Sequence, residues 1–245
     1  MSIPFKFLEW DKEHLGIDCG LIDLRYLKKG FDENSILNVI KTHRNIKMFT
    51  IKLPQKSIGV LNYLLKLKNY HLIDSEITFK YTRSDFDKLI NPKNITFEYH
   101  HRYSSTAFIS LAEDMIHSRF FIDNNISYQK ALNLWQKSIH DHCSGYSDKI
   151  LIALFNGQPA GIITLRFNNE KELYLHIVGI IKEYRGHGIA RYMINRIIND
   201  FCEEYNIMIE TQSNNIPAQK VYQKAGLKYS ELNYIVHYWK NDSGY

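Results

Sequence analysis

The stretch ELYLHIVGIIKEYRGHGIARYMINRIINDF, residues 172–201, constrains the fold more than any other part of this chain. Apolar residues run through 172–180 as in a strand, and a short polar segment then carries Gly186 and Gly188. Beyond it, Ile189, Met193, Ile194, Ile197, Ile198, Phe201 and Cys202 recur at helical spacing, which predicts an amphipathic helix. A strand entering a helix through glycines leaves backbone N–H groups unpaired at the helix start. The helix dipole adds positive potential there, so an anion is stabilised. Gly186 and Gly188 let the backbone turn and approach a pyrophosphate closely, and Arg185 can add a charge-assisted contact. A plain strand-to-helix turn is the alternative. The pattern is neither a dinucleotide fingerprint, which needs a third glycine, nor a P-loop, which needs a following Gly-Lys-Ser/Thr.

Downstream, residues 215–226 read Asn215-x-x-Ala218-x-x-x-Tyr222-x-Lys224-x-Gly226. Asn215 stands at a helix start, where its amide caps the helix or meets a ligand amide. Gly226 suits the position just past a helix end. Tyr222 lies one turn before that end. A phenol with an ordinary pKa near 10 is protonated at neutral pH and can give a proton to a thiolate leaving group. A core-facing aromatic is the competing reading for Tyr222, and Lys224 reads as solvated.

The rest of the chain is mixed α/β. Strands are expected at 21–27, 47–53 and 71–81, with helices near 32–40, capped by Asp32 or Asn34, and at 57–70. The polar, proline-containing segment 82–98 marks a domain boundary, giving a smaller α/β domain at 1–95 and a second domain at 96–245. In the second, helices are expected at 104–120 and 127–143. A hairpin spans 150–167 with Asn156-Gly157 as its turn, and strands follow at 207–213 and 231–239.

Composition narrows the function classes. The chain has 245 residues with 44% hydrophobic and 23% charged, usage that supports a real core. Lys+Arg number 31 against Asp+Glu 26, a net +5. That excess is too small to indicate nucleic acid, yet it suits an anionic small molecule in a locally positive cleft. The 3 cysteines, Cys19, Cys143 and Cys202, are far apart and read as packing residues in a reducing compartment, with no metal signature. No apolar run reaches the ~18 residues of a membrane span, and the N-terminus lacks the apolar core of a signal peptide. The expectation is a soluble cytoplasmic protein without membrane insertion.

Together, the segments 185–190 and 215–226 resemble the GNAT superfamily of acyl-CoA-dependent N-acyltransferases. The family's Q/R-x-x-G-x-G/A motif is matched by Arg185-Gly186-His187-Gly188-Ile189-Ala190, and its closing helix by Asn215 to Gly226. The resemblance covers roughly residues 100–240. It implies a GNAT fold, with a mixed, mostly antiparallel central sheet flanked by helices, and acetyl-CoA as cofactor. Backbone groups of Val178, Gly179 and Ile180 would bind the pantetheine arm, and the loop 185–190 the pyrophosphate. Tyr222 would be the general acid, and one strand splaying from its neighbour would admit the thioester. His176 is the candidate general base, with a structural histidine, Glu172, Glu210 or a water relay as alternatives.

A nearer likeness is to the TDP-fucosamine acetyltransferases, carried by FLEWDKEHLGIDCGLIDL near the N-terminus, Ser118-Arg119-Phe120, and the tail SELNYIVHYW. It implies acetylation of the 4-amino group of a nucleotide-linked dideoxy sugar. Arg119 and Phe120 would then be substrate-binding, with Arg119 gripping an acceptor phosphate or, alternatively, forming a surface salt bridge. A peptide or protein amine as acceptor and a non-catalytic acyl-CoA-binding module are the competing functions. A homodimer is allowed for.

Overall fold

The computed structural model describes residues 3–27, 30–81 and 92–240. The chain divides into two compact units. Unit 1 comprises Met1–Glu76, Ser118–Ala131 and Glu231–Tyr245, and unit 2 comprises Ile77–His117 and Leu132–Ser230. The units do not follow a single cut at residue 95. Residues 118–131 and the tail join the N-terminal part in unit 1, because apolar and ionic partners distant in sequence hold them there. The expected boundary segment lies partly outside the described residues, at 82–91, and its far end is a strand.

Unit 1 contains β1 (Phe5–Phe7), α1 (Glu9–Leu15), β2 (Cys19–Asp23), α2 (Glu33–Thr42), β3 (Met48–Pro54) and α3 (Ile58–Leu64). It also holds the first part of β4 (Tyr70–Tyr81), the short α4 (Arg119–Ile122) and most of β10 (Leu227–Trp239). β1 pairs antiparallel with β2, β2 parallel with β3, and β3 antiparallel with β10 from Pro54↔Asn233 to Met48↔Trp239. Phe49, Ile51 and Leu53 on β3 enter a core with Ile22, Ile36, Leu61, Leu64 and Val236. On α2 the capping residue is Asp32, which accepts from the Ser35 N–H at 2.9 Å. The strand expected at 21–27 is displaced to 19–23, and α3 ends at Leu64 rather than running to 70, closing in tighter turns before Asn69 at φ 73°. The short β1 and α1 carry too few apolar residues to declare themselves in sequence.

Unit 2 is built on β5 (Ile95–His100), β6 (Lys149–Phe155), β7 (Gln158–Phe167) and β8 (Glu172–Ile180), antiparallel in that spatial order, with β9 (Asn206–Gln212) parallel to β8. The β6–β7 turn places Asn156 at φ 50° and Gly157 at φ 78°, the paired positive angles of a type I′ hairpin. α6 (Ile189–Phe201) connects β8 to β9 and buries Met193, Ile194, Ile197 and Ile198. α7 (Ile216–Lys224) follows β9, and α5 (Tyr128–Asp141) precedes a single π turn at His142–Tyr146.

The helix expected at 104–120 is instead two 3₁₀ turns, Ser105–Ala107 and Ile109–Asp114, then an extended Ser118 and α4. Phe108 and Leu111 explain the tighter winding: both are wholly buried in a core with Ile139, Ile150, Ile162 and Ile177. A three-residue spacing stacks on one side of a 3₁₀ turn. Cys19 and Cys143 are buried, Cys202 half-buried, and burial pushes the first two thiols up to about 12 and about 11. No helix among the described residues is long and apolar enough to cross a membrane.

Candidate active site

Two irregularities of β8 make an opening in unit 2. The first is a bulge: Ile163 faces Val178 and Leu165 faces Leu175, so Thr164 stands against both His176 and Ile177. The Ile177 N–H donates to Thr164 Oγ1 at 3.0 Å. Ile177 packs with Ile139 and Cys143, while the His176 ring lies 5.6 Å from that of His142. Both bulged side chains are therefore on the α5 side of the sheet.

The second irregularity is a split. β8 and β9 pair only from Glu172↔Asn206 to Leu175↔Ile209, although both strands continue. In an antiparallel ladder, opposed residues alternate between bonded and non-bonded pairs. The Ile181 N–H donates to the Ala160 carbonyl at 2.9 Å, so the pair Gly161↔Ile180 is non-bonded, and so is Ile163↔Val178. The backbone N–H and C=O groups of Val178 and Ile180 thus point away from β7, toward the side where β9 has ceased to pair. Gly179 spends its backbone on β7. Its role is steric: a β-carbon there would lie 2.4 Å from Leu111 Cδ1.

The glycine loop follows. Gly186 and Gly188 both adopt left-handed angles, φ 84° and 73°, which a β-carbon disfavours. Gly188 caps α6 without any side-chain hydrogen bond to the first-turn N–H groups, and the space where a Gly186 side chain would project is open. An uncapped helix start beneath an open backbone loop fits the pyrophosphate of acetyl-CoA. Ile189 is buried at the head of α6 and Ala190 half-buried beside it, so they anchor the helix while their N–H groups belong to its first turn. Arg185 braces the loop: its Nε donates to the Ile180 carbonyl at 3.0 Å and its Nη2 to Asp114. His187 is exposed, with its ring edge-on to Phe155 at 4.8 Å.

Tyr222 is 6% exposed, edge-on to Phe79 at 5.8 Å, and hydrogen-bonded to Thr211. Thr211 lies on β9 beyond the end of its pairing with β8, so the partner of the phenol stands on the stretch of β9 that has left β8. Burial raises the Tyr222 pKa, with the Thr211 bond acting weakly against it. Asn215 caps α7, accepting from the Ala218 N–H at 3.4 Å, and donates to Thr211 Oγ1 at 3.2 Å. Thr211 links the two ends of the 215–226 motif, Asn215 and Tyr222, yet no spacing rule singles it out.

His176 is exposed on β8, but the groups crowded around its ring push its pKa down to about 4, and the nearby Arg166 charge adds to the shift. It is neutral at pH 7. Glu172 is engaged by the Tyr174 hydroxyl and the Asn168 amide, each at 2.8 Å.

Arg119, expected either to grip an acceptor phosphate or to form a salt bridge, is ion-paired. In unit 1 its Nη2 donates to Asp11 at 2.6 Å and its Nη1 to Thr50 at 2.9 Å, with His237 Nε2 at 3.4 Å. Its guanidinium lies 3.9 Å from the centre of the ring of Phe120, itself buried. The guanidinium is thus neutralised by a buried carboxylate rather than presented to a ligand.

Residues 110–227 match the acetyltransferase (GNAT) family model. The chain is 20% identical over 192 residues to the spore coat polysaccharide biosynthesis protein SpsD of Bacillus subtilis (strain 168), covering 77% of this chain and 65% of that protein. It is 33% identical over 87 residues to N-alpha-acetyltransferase 50 of Danio rerio, covering 33% of this chain and 51% of that protein. The chain thus spans less than two thirds of either relative. The crystal structure of a GCN5-related N-acetyltransferase from Sphaerobacter thermophilus superposes with a TM-score of 0.59 at 11% identity, covering 96% of this chain and 76% of that one. The fold is that of the GNAT acetyltransferases, a family whose acyl donor is acetyl-CoA.

Proposed function

We propose that this protein is an acetyl-CoA-dependent N-acetyltransferase acting on the amino group of a nucleotide-linked 4-amino-4,6-dideoxy sugar by direct transfer. The observation that carries the reading is the split between β8 and β9, where the backbone edges of Val178 and Ile180 turn away from β7 and where Thr211, the hydrogen-bond partner of Tyr222, stands on the part of β9 that no longer pairs with β8. Val178 would hold a pantetheine amide, the loop 185–190 the pyrophosphate, and Asn215 would orient the opening from the start of α7. Acetyl-CoA supplies an activated thioester whose sulfur departs as a thiolate.

The chain's own groups perform the rest. The N–H of Ile180 donates to the carbonyl oxygen as negative charge develops there. Tyr222, kept protonated by burial, holds at its hydroxyl the proton that the departing sulfur takes. His176, neutral and exposed beside the bulge, accepts the proton that the attacking nitrogen loses as its bond to the acyl carbon forms. With a pKa of about 4 it is a weak base, so the amine must arrive neutral. The sugar acceptor draws support from the likeness to a polysaccharide biosynthesis protein. A second reading, a peptide or protein amine as acceptor, is favoured by the 33% identity to N-alpha-acetyltransferase 50.

A thiol-release assay across nucleotide-linked amino sugars, free amino sugars and peptides with free α-amines separates them. Turnover is expected with the nucleotide-linked sugars; turnover with peptides alone selects the second reading, and none with any amine removes catalysis. Tyr222→Phe should lower kcat on the order of 100-fold while calorimetry gives an unchanged acetyl-CoA affinity. Unchanged kcat would remove Tyr222 as the acid.

A further inference from the structure

Arg119 is committed to a partly buried ion pair with Asp11, and unit 2 holds another cation beside the bulge. Arg166 on β7 pairs with Tyr174 of β8. Its guanidinium lies 4.6 Å from the centre of the Tyr146 ring, and its Nη1 donates to the Tyr146 carbonyl. The π turn at His142–Tyr146, with Gly145 at φ 114°, sets Tyr146 at this point. Tyr146 is nonetheless 59% exposed. Ser147 fixes the His142 ring through a 2.6 Å hydrogen bond, and His142 separates Tyr146 from His176 with ring distances of 5.0 and 5.6 Å.

The decisive feature is the Nε edge of Arg166, which carries an ion pair but no hydrogen bond among the described residues. Its Nε is buried without a hydrogen-bond partner, and its Nη2 makes none among the described residues. Asp148 Oδ2 forms an ion pair with Nε at 3.4 Å, without hydrogen-bond geometry, and accepts from the Phe167 N–H at 2.8 Å. Nε and Nη2 form the side of a guanidinium that grips two phosphate oxygens at once. Buried polar groups in native proteins rarely go unsatisfied, and each exception asks for a reason.

We propose that Arg166 and Tyr146 form the subsite for the nucleoside diphosphate of the acceptor, the guanidinium edge binding phosphate and the exposed phenol ring stacking on the base. This rests on the nucleotide-sugar reading above. The register supports it. Tyr174, opposite Arg166, precedes His176 by two residues, about 7 Å of strand, a span that one sugar ring bridges between phosphate and amine. Tyr174 precedes Ile180 by six residues, roughly 20 Å, which keeps the subsite apart from the loop that would hold the donor's pyrophosphate. Asp148 sits at the rim, and its charge opposes a phosphate.

Thymidine diphosphate is the probe, titrated by calorimetry into the full chain saturated with coenzyme A. Binding is expected, weakened about tenfold or more in Arg166→Gln and roughly tenfold in Tyr146→Ala, and strengthened in Asp148→Asn. Tyr146→Ala changes only an exposed side chain, so it remains informative if Arg166→Gln fails to fold. In turnover, Tyr146→Ala should raise KM for the nucleotide-linked amino sugar and leave KM for acetyl-CoA unchanged. No binding, binding abolished by coenzyme A, or affinity unchanged in both Arg166→Gln and Tyr146→Ala would overturn the proposal. Turnover of the nucleotide-linked sugar with KM unmoved by both variants sinks the subsite but spares the proposed reaction. Binding of the probe without turnover of any nucleotide-linked sugar sinks the reaction instead.

Discussion

The two units treat their charged and polar groups in opposite ways. In unit 1 they close on one another. Arg119 bonds Asp11 and Thr50 and approaches His237, whose Nδ1 meets Asp123 at 2.6 Å, and Asp123 also accepts from the Trp239 indole at 2.8 Å. Because Arg119 can only donate, His237 Nε2 accepts and Nδ1 carries the proton given to Asp123. In unit 2 the corresponding groups face an opening: two β8 residues whose backbone edges turn away from β7, an uncapped helix start, and an arginine whose Nε is ion-paired but makes no hydrogen bond among the described residues. A closed network specifies how chain segments meet, since each buried charge tolerates only its own partner. An open one is available to a ligand. Arg119 and Arg166 are alike in sequence and differ only in what surrounds them.

The contrast can be broken most sharply at Asp11. Asp11→Ala leaves the Arg119 charge without its carboxylate and should cost about 3–5 kcal/mol of unfolding free energy, read by urea denaturation, with acetyl-CoA affinity unchanged. A loss below about 1 kcal/mol, the range of exposed pairs, would mean that the network is not closed. On the open side, Gly188→Leu should lower acetyl-CoA affinity by about tenfold or more, because the left-handed backbone costs roughly 1–2 kcal/mol and the side chain meets the Tyr192 ring, shifting the loop. Normal affinity by calorimetry would remove the loop from cofactor binding.

Acid sharpens the comparison further. Burial lowers the His237 pKa, more than the Asp123 hydrogen bond raises it. The unfolded chain therefore binds a proton near pH 6.5 that the folded chain refuses, and stability falls as pH drops below that value. Burial acts to raise Asp123, but hydrogen bonds from His237, the Asn125 N–H and Trp239 outweigh it and hold the carboxyl at about 2. Its contribution is present above about pH 4 and is lost as pH falls through 2. His237→Asn should remove about one proton from the slope of stability against pH below 6.5 and leave the lower limb in place. An identical slope would show that His237 titrates normally. The smallest effect belongs to an ordinary exposed cap: Asp32→Ala should cost about 1 kcal/mol and leave acetyl-CoA binding untouched.

The parts of the molecule legible in sequence are those whose signal is local. The hairpin turn at Asn156-Gly157, the cap at Asp32, the amphipathic α6 and the glycines at 186 and 188 each depend on a few neighbouring residues. The helix expected at 104–120 failed because its apolar spacing suits two windings, and burial of Phe108 and Leu111 against distant strands selected the tighter one. Ser118, which ends that segment, also begins a piece of unit 1, a fact that no local pattern carries.

By itself, the sequence determined that a strand runs through a glycine turn into a helix, and that a tyrosine lies near the end of the next helix, because turn chemistry and side-chain periodicity are properties of short segments. Only the tertiary structure decided that β8 bulges at His176 and parts from β9 after Leu175, that Thr211 links Tyr222 to Asn215, and that Arg119 is hydrogen-bonded to Asp11 while Arg166 Nε, beside Asp148, makes no hydrogen bond among the described residues. These depend on partners up to more than a hundred residues away. What a charged side chain does is set by the groups that desolvate and neutralise it, and folding alone chooses those.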